Sequence, residues 1–287
     1  MKNTVRVLFI ALLFINGASH CFAQSAFSKW FEYKALRIDY YLAGNANSEH
    51  FYLDDLREEP FWSGSPNSLI DNLDFGTHRV LVTDAQSGAL IYSQGFCTLF
   101  QEWQTTAEAK ILERAFEQVT RIPYPKQKVL VSFQTGGRDG KFTELHRLEI
   151  DPASIFINRR AMNTIPNYKI VDNGHYCQKL DIAFIAEGYS NKQMDKFTGD
   201  VKRLADFLLS QPPFDEMAES INIWAVASES DGEGPSNPGT GCWNTTATQS
   251  EFYTFGIDRY LTTTRYHRVM DIAANVPADL VYILVNT

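Results

Sequence analysis

The pattern of hydrophobic and polar positions divides the chain into two parts with different periodicity. In the N-terminal part, short segments such as 34–42, 79–83 and 128–133 partly alternate apolar and polar residues and are separated by turn residues. This spacing is typical of antiparallel strands in a β-sandwich. One stretch, 106–119, instead carries apolar residues at helical spacing and predicts a helix inside this β-rich part.

The C-terminal part contains continuous apolar runs and amphipathic segments. Runs at 180–186, 221–227 and 279–287 predict buried strands. Ser190 is a strong N-cap and predicts that a helix begins there, and a second helix is predicted over 258–275. The order β-α-β-loop-α-β is that of an opening parallel or mixed α/β sheet.

These patterns predict four regions along the chain. Residues 1–23 have a basic start, a short apolar run and a small final residue, which is typical of a cleaved signal peptide. We therefore expect export to the periplasm, the cell surface or the extracellular space. Residues 24–158 are predicted to form the sandwich, 159–179 a connector, and 180–287 the first part of the α/β domain. Because a buried strand needs neighbours and cover, we expect further chain after the final apolar run.

Charge and cysteine content narrow the classes of function. Without the signal, 24 basic and 34 acidic residues remain, and the net charge of −10 disfavours nucleic acid as a partner. The remaining Cys97, Cys177 and Cys242 do not make a disulfide framework, although one bridge is compatible with export. No segment after the signal is apolar enough to predict a transmembrane anchor.

The sequence contains no complete catalytic motif, so we assign no catalytic, cofactor-binding or metal-ligating residue. The motifs H-E-x-x-H, G-x-S-x-G and S-x-x-K and a phosphate-binding glycine loop are all absent. Glu187 stands at the end of a buried strand and just before a helix, where α/β proteins place ligands, and Tyr189 follows it. Asp231 begins an acidic, glycine-containing loop. These three are the candidate cleft residues, and each also fits a purely structural role.

Several segments together resemble a known family. The most specific is Glu187-Gly188-Tyr189 with the helix that follows it. In chain order, the matching segments are 121–125, 150–152, 181–190, 194–197, 213–214, 221–226, 228–238, 252–255, 259–261 and 283–287. The sequence resembles the IgA-peptidase-type zinc metallopeptidases, which are secreted bacterial proteins, and the resemblance covers nearly all of the chain after the signal.

The resemblance implies an N-terminal β-sandwich domain followed by an incomplete, zincin-like α/β peptidase domain that acts on a protein or glycoprotein substrate. In this family the zinc motif H-E-x-x-H follows the strand that here ends in Asn286-Thr287. The resemblance therefore implies zinc only in the full-length protein, and no hydrolysis by the present residues alone. His175 and His267 are not expected to replace the zinc ligands, because His175 lies in the connector next to Gly174 and His267 has no second histidine one helical turn away.

Two alternatives also fit the sequence. The aromatic residues of the N-terminal part, among them Trp30, Trp62 and Trp103, would form a sugar-stacking platform in a non-catalytic, secreted glycan- or glycoprotein-binding protein. The same residues fit the core of a sandwich. The other alternative is a natural short form that completes its sheet by pairing with another chain.

Overall fold

The structure, a computed structural model, describes residues 26–137 and 140–287. The predicted signal peptide lies outside the described residues. After a helical turn at 26–30, the chain forms three four-stranded sheets with few helices between them. The β-rich character predicted for the N-terminal part is therefore confirmed. Within the described ranges, no helix is both long enough and apolar enough to cross a bilayer.

The N-terminal part contains two sheets. Its strands are β1 (Phe31–Asn45), β2 (Ser48–Glu59), β3 (His78–Asp84), β4 (Leu90–Phe96), β5 (Arg114–Pro125), β6 (Val129–Gly136), β7 (Phe142–Ile150) and β8 (Ile157–Asn158). One sheet has the order β5-β1-β2-β8 and the other β4-β3-β6-β7. All neighbours pair antiparallel except the short β8, which is parallel to β2. Helix α1 (Leu99–Gln104), capped by the Thr98 hydroxyl, connects the two sheets.

Both N-terminal sheets bury one face in a shared hydrophobic core. Every second residue of β3 is buried, as expected for a strand with one face on the core. Across the core, the ring centroid of Tyr40 on β1 lies 5.1 Å from that of Phe133 on β6. Trp62 and Trp103 are 7% and 0% exposed. These tryptophans fill the core, so they do not offer a stacking surface for sugars.

The prediction of a helix over 106–119 is wrong. The chain makes a single 3₁₀ turn at Glu108–Lys110 and then enters β5, which pairs along the length of β1. Ile111 and Leu112, counted as part of an apolar helical face, are 80% and 49% exposed. The buried face of β5 includes the polar residue Gln118, which concealed the two-residue period of the strand.

The C-terminal part is a mixed sheet, as predicted. Its strands are β9 (Asn167–Val171), β10 (Leu180–Glu187), β11 (Ile221–Val226) and β12 (Leu280–Val285), in the order β12-β10-β11-β9. Strand β10 is parallel to β11 and β12, whereas β9 runs antiparallel to β11. The predicted connector 159–179 thus contributes an edge strand. This strand was missed because it is short and contains polar residues.

Two helices cover opposite faces of this mixed sheet. Helix α2 (Met194–Leu209) follows a 3₁₀ turn that begins with the predicted capping box at Ser190, and it packs on Ile182 and Phe184 of β10. Helix α3 (Tyr266–Ala273) packs on the other side of β10. The helix predicted over 258–275 is shorter, because the residues before Tyr266 form turns.

A buried arginine joins the two parts. Arg37 on β1 donates two hydrogen bonds to the carboxylate of Asp39, at 2.6 and 2.8 Å. It also donates to the Asp271 carboxylate of α3 at 2.7 Å and to the carbonyl oxygen of His267 at 2.9 Å. Burial alone would lower the pKa of Arg37, but the hydrogen bonds and charge of Asp39 raise it above its ordinary value. The arginine stays charged and fixes α3 against the first sheet.

Candidate functional site

Glu187, the last residue of β10, is fully buried. Its carboxylate accepts hydrogen bonds from the Thr246 hydroxyl at 2.5 Å and from the backbone N–H groups of Thr248 at 2.6 Å and Ser250 at 2.8 Å. Hydrogen bonds of this charge-assisted kind offset the cost of burying a carboxylate. Glu187 therefore fixes residues 246–250, here called the anchored loop, across the end of the sheet.

A serine makes the second attachment of this loop. The hydroxyl oxygen of Ser230 accepts the backbone N–H of Gly188 at 3.0 Å and that of Ala247 at 2.9 Å. Gly188 has a φ of +71°, and a Cβ at this position would lie 2.8 Å from the backbone of Gly234. The turn after β10 thus requires glycine on two grounds. The hydrogen bonds of Ser230 thus connect three segments: the turn after β10, the loop that contains Ser230, and the anchored loop.

Tyr189 is buried, and its hydroxyl donates to the carboxylate of Asp200 on α2 at 3.0 Å. Lys196 and Arg203 donate to the same carboxylate, at 3.0 and 3.2 Å. Burial alone would raise the pKa of Asp200, but these hydrogen bonds lower it. Burial and the hydrogen bond to Asp200 raise the pKa of Tyr189. The phenol is therefore neutral, and it fixes the orientation of α2 relative to the turn after β10.

The third candidate, Asp231, is exposed. It lies near the other two, because the neighbouring Ser230 donates its backbone N–H to the carbonyl of Tyr189 at 2.9 Å. The structure thus brings the three predicted residues to one end of β10, with two of them buried and one at the surface. A role in a substrate cleft stays a prediction for all three.

The residues that bind Glu187 were not found from the sequence. Thr246, Thr248 and Ser250 belong to a polar segment with no recognisable motif, about sixty positions beyond the strand. Alternating small hydroxyl residues are the only signal in the segment, and such residues are common in loops.

A groove of about 860 Å³ lies between the two parts of the chain. Its lining comes from strands β2 and β5, from the segment 158–166, from residues 227–229 after β11 and Ala247, and from helix α3. Ala247 lies between the two threonines that bind Glu187. The anchored loop therefore contributes Ala247 to the lining of the groove, and the helix fixed by Arg37 forms one of its walls.

A smaller cavity of about 450 Å³ also lies between the two parts. Arg121, Tyr266 and Asp279 are among its lining residues. The Asp279 carboxylate accepts the backbone N–H of Asp181 at 2.8 Å. Burial raises the pKa of Asp279 to about 7, which makes this acid a mixture of neutral and charged forms near neutral pH.

The residues that the structure describes do not fit a zinc site. Among them, no group of three or more His, Cys, Asp and Glu side chains is arranged to hold a metal ion. The Nδ1 atom of His175 accepts the backbone N–H of Cys177 at 3.3 Å. The Nε2 atom of His267 lies 3.1 Å from the carbonyl oxygen of Gln118 and 3.3 Å from that of Tyr40, so it is a donor. Both histidines therefore serve local structure.

Comparison with protein families gives two matches in chain order. The model described as Peptidase M64 N-terminus matches residues 26–147, which contain the two N-terminal sheets up to β7. The model described as IgA Peptidase M64 matches residues 168–287, which contain the mixed sheet and its helices. A search of curated proteins finds no match. The chain belongs to the IgA-peptidase-type M64 family.

Proposed function

We propose that this chain provides the N-terminal domain and the opening, zincin-like α/β part of an exported zinc metallopeptidase that hydrolyses peptide bonds in protein or glycoprotein substrates. The observation that carries the proposal is the pair of family matches in domain order, 26–147 and 168–287. The mixed sheet with a helix on each face supports the zincin-like assignment. The signal-like residues 1–23 support export.

In this proposal the present residues position the substrate. The groove has the size of a typical ligand site, and its walls are fixed by two buried charged residues, Glu187 and Arg37. Zinc is expected only in the full-length protein, because residues 1–287 contain no H-E-x-x-H motif. No step of the hydrolysis is assigned to the residues described here, and we propose that residues 1–287 alone do not cleave peptides.

The proposal is tested by comparing the full-length protein with residues 1–287 on a quenched fluorescent peptide library. We expect the full-length protein to cleave peptides, to lose activity with 1,10-phenanthroline and to regain it with added zinc. Residues 1–287 should give no cleavage. Activity of the full-length protein that resists the chelator, or no activity at all, contradicts the metallopeptidase assignment. Cleavage by residues 1–287 contradicts the proposed inactivity.

A further inference from the structure

Two arginine side chains of the groove are available for a ligand. Arg160, in the segment 158–166, and Arg268, on α3, are exposed and line the groove. Within the described residues, neither guanidinium group makes a hydrogen bond or an ion pair. Two unpaired guanidinium groups on separate walls of one groove favour a ligand that carries more than one negative charge.

The acidic groups of the groove do not neutralise these two arginines. The carboxylate of Asp271 accepts from Arg37 and Arg57, at 2.7 and 3.3 Å. The carboxylate of Glu117 lies 3.6 Å from Arg265 and accepts the backbone N–H of His267 at 3.0 Å. The third acidic residue of the lining, Glu229, accepts from the Asn191 side chain at 2.5 Å. None of these three acids is paired with Arg160 or Arg268.

The segment 158–166 offers backbone groups beside these arginines. Residues 161–164 line the groove and adopt no regular structure. Their backbone N–H and C=O groups make no hydrogen bond to any other residue in the described ranges. A segment with unpaired backbone groups is suited to pair with an extended chain. This feature favours a peptide, which has complementary backbone groups, over an anionic polysaccharide, which has none.

We propose that the groove binds an extended acidic peptide segment, whose backbone pairs with residues 161–164 and whose Asp or Glu side chains bind Arg160 and Arg268. The inference deepens and rests on the proposed function, since it assigns the peptidase a substrate that contains a segment of acidic residues. A single exposed ion pair contributes little, so binding depends on the two arginines together with the backbone pairing.

The experiment measures binding of fluorescein-labelled hexaglutamate to the purified chain by fluorescence anisotropy at low ionic strength. We expect saturable binding that weakens with salt, and no binding of labelled hexalysine. The double variant R160Q/R268Q should weaken hexaglutamate binding by about tenfold or more. The control K110Q/K202Q removes the same net charge from exposed positions outside the groove, and it should change the affinity by less than about twofold. Circular dichroism verifies that both variants are folded.

Three results overturn the inference. No binding of hexaglutamate excludes the site. An equal loss in both double variants assigns the binding to general surface charge. Stronger binding of heparin that is lost in R160Q/R268Q assigns the groove to anionic polysaccharides instead of peptides. Since the assay involves no hydrolysis, its failure is distinct from failure of the cleavage assay.

Discussion

The substitution Glu187→Gln tests the role of the buried carboxylate most sharply. It preserves the size of the side chain and replaces one carboxylate oxygen by an NH₂ group. If the amide nitrogen takes the place of Oε2, it faces the backbone N–H of Thr248, whose nitrogen lies 2.6 Å from that oxygen. If the amide is reversed, the donors of Thr246 and Ser250 both lose their acceptor. In either orientation at least one buried donor is left unpaired.

The expected cost follows from these contacts. A hydrogen bond to a charged group contributes about 1.5–3 kcal/mol, and a buried donor without a partner costs about 1–3 kcal/mol. Because these two effects overlap, we expect Glu187→Gln to lower the free energy of unfolding by about 2–4 kcal/mol. The matched control is Glu216→Gln, at an exposed position of the same part of the chain, with an expected change below about 0.5 kcal/mol.

Urea unfolding followed by tryptophan fluorescence measures the free energy of unfolding of both variants. An unchanged dependence of this free energy on urea concentration verifies that the variants expose the same surface on unfolding as the unsubstituted protein. Hydrogen exchange gives a local readout, because the amide of Thr248 or that of Ser250, depending on the orientation of the new side chain, should lose protection in Glu187→Gln, and both should keep it in Glu216→Gln. If the free energy of unfolding of Glu187→Gln lies within about 0.5 kcal/mol of that of the unsubstituted protein, the carboxylate does not fix the anchored loop.

Three further substitutions test other contacts. Arg37→Met removes the donor to buried Asp39, and we expect a loss of about 3–5 kcal/mol in thermal unfolding; a loss below about 1 kcal/mol contradicts the role of this arginine. Because the pKa of Asp279 rises from 3.8 to about 7 on folding, its contribution to stability is fully present below about pH 4 and is lost as the pH rises through 7. Relative to Asp279→Asn, the unsubstituted protein should therefore lose stability between pH 5 and pH 8 in urea unfolding, and a constant difference refutes the shift. Tyr189→Phe removes a donor to Asp200, so the pKa of Asp200 should rise in an NMR titration and stability should fall by about 1 kcal/mol; an unchanged pKa contradicts this contact.

Two strands of the C-terminal part, β10 and β11, were predictable because the buried strands of a mixed sheet are continuous apolar runs. The runs predicted at 180–186 and 221–227 end within one residue of β10 (Leu180–Glu187) and β11 (Ile221–Val226). Strand β5 was not predictable from its pattern, because Gln118 and Thr120 occupy core-facing positions and are buried. Pairing with β1 decided its structure, and such tertiary contacts override local periodicity.

The candidate site was predictable only in part. Glu187 was found because it ends a buried strand before a helix, which depends on local sequence alone. Its burial depends on the anchored loop, whose residues are distant in sequence and are brought to the strand end by tertiary folding. The groove was not foreseen either. Its arginines come from the segment 158–166 and from α3, and tertiary packing, including that fixed by Arg37, brings these elements to one groove.

The most direct test of the central claim measures peptide hydrolysis by the full-length protein with Glu187→Gln, at a temperature where circular dichroism shows the variant folded. If the anchored loop is a wall of the substrate cleft, its displacement should raise KM for peptides by about tenfold or more, while Glu216→Gln keeps the unsubstituted value. A folded Glu187→Gln enzyme with unchanged KM and kcat would contradict the claim that this loop belongs to the cleft.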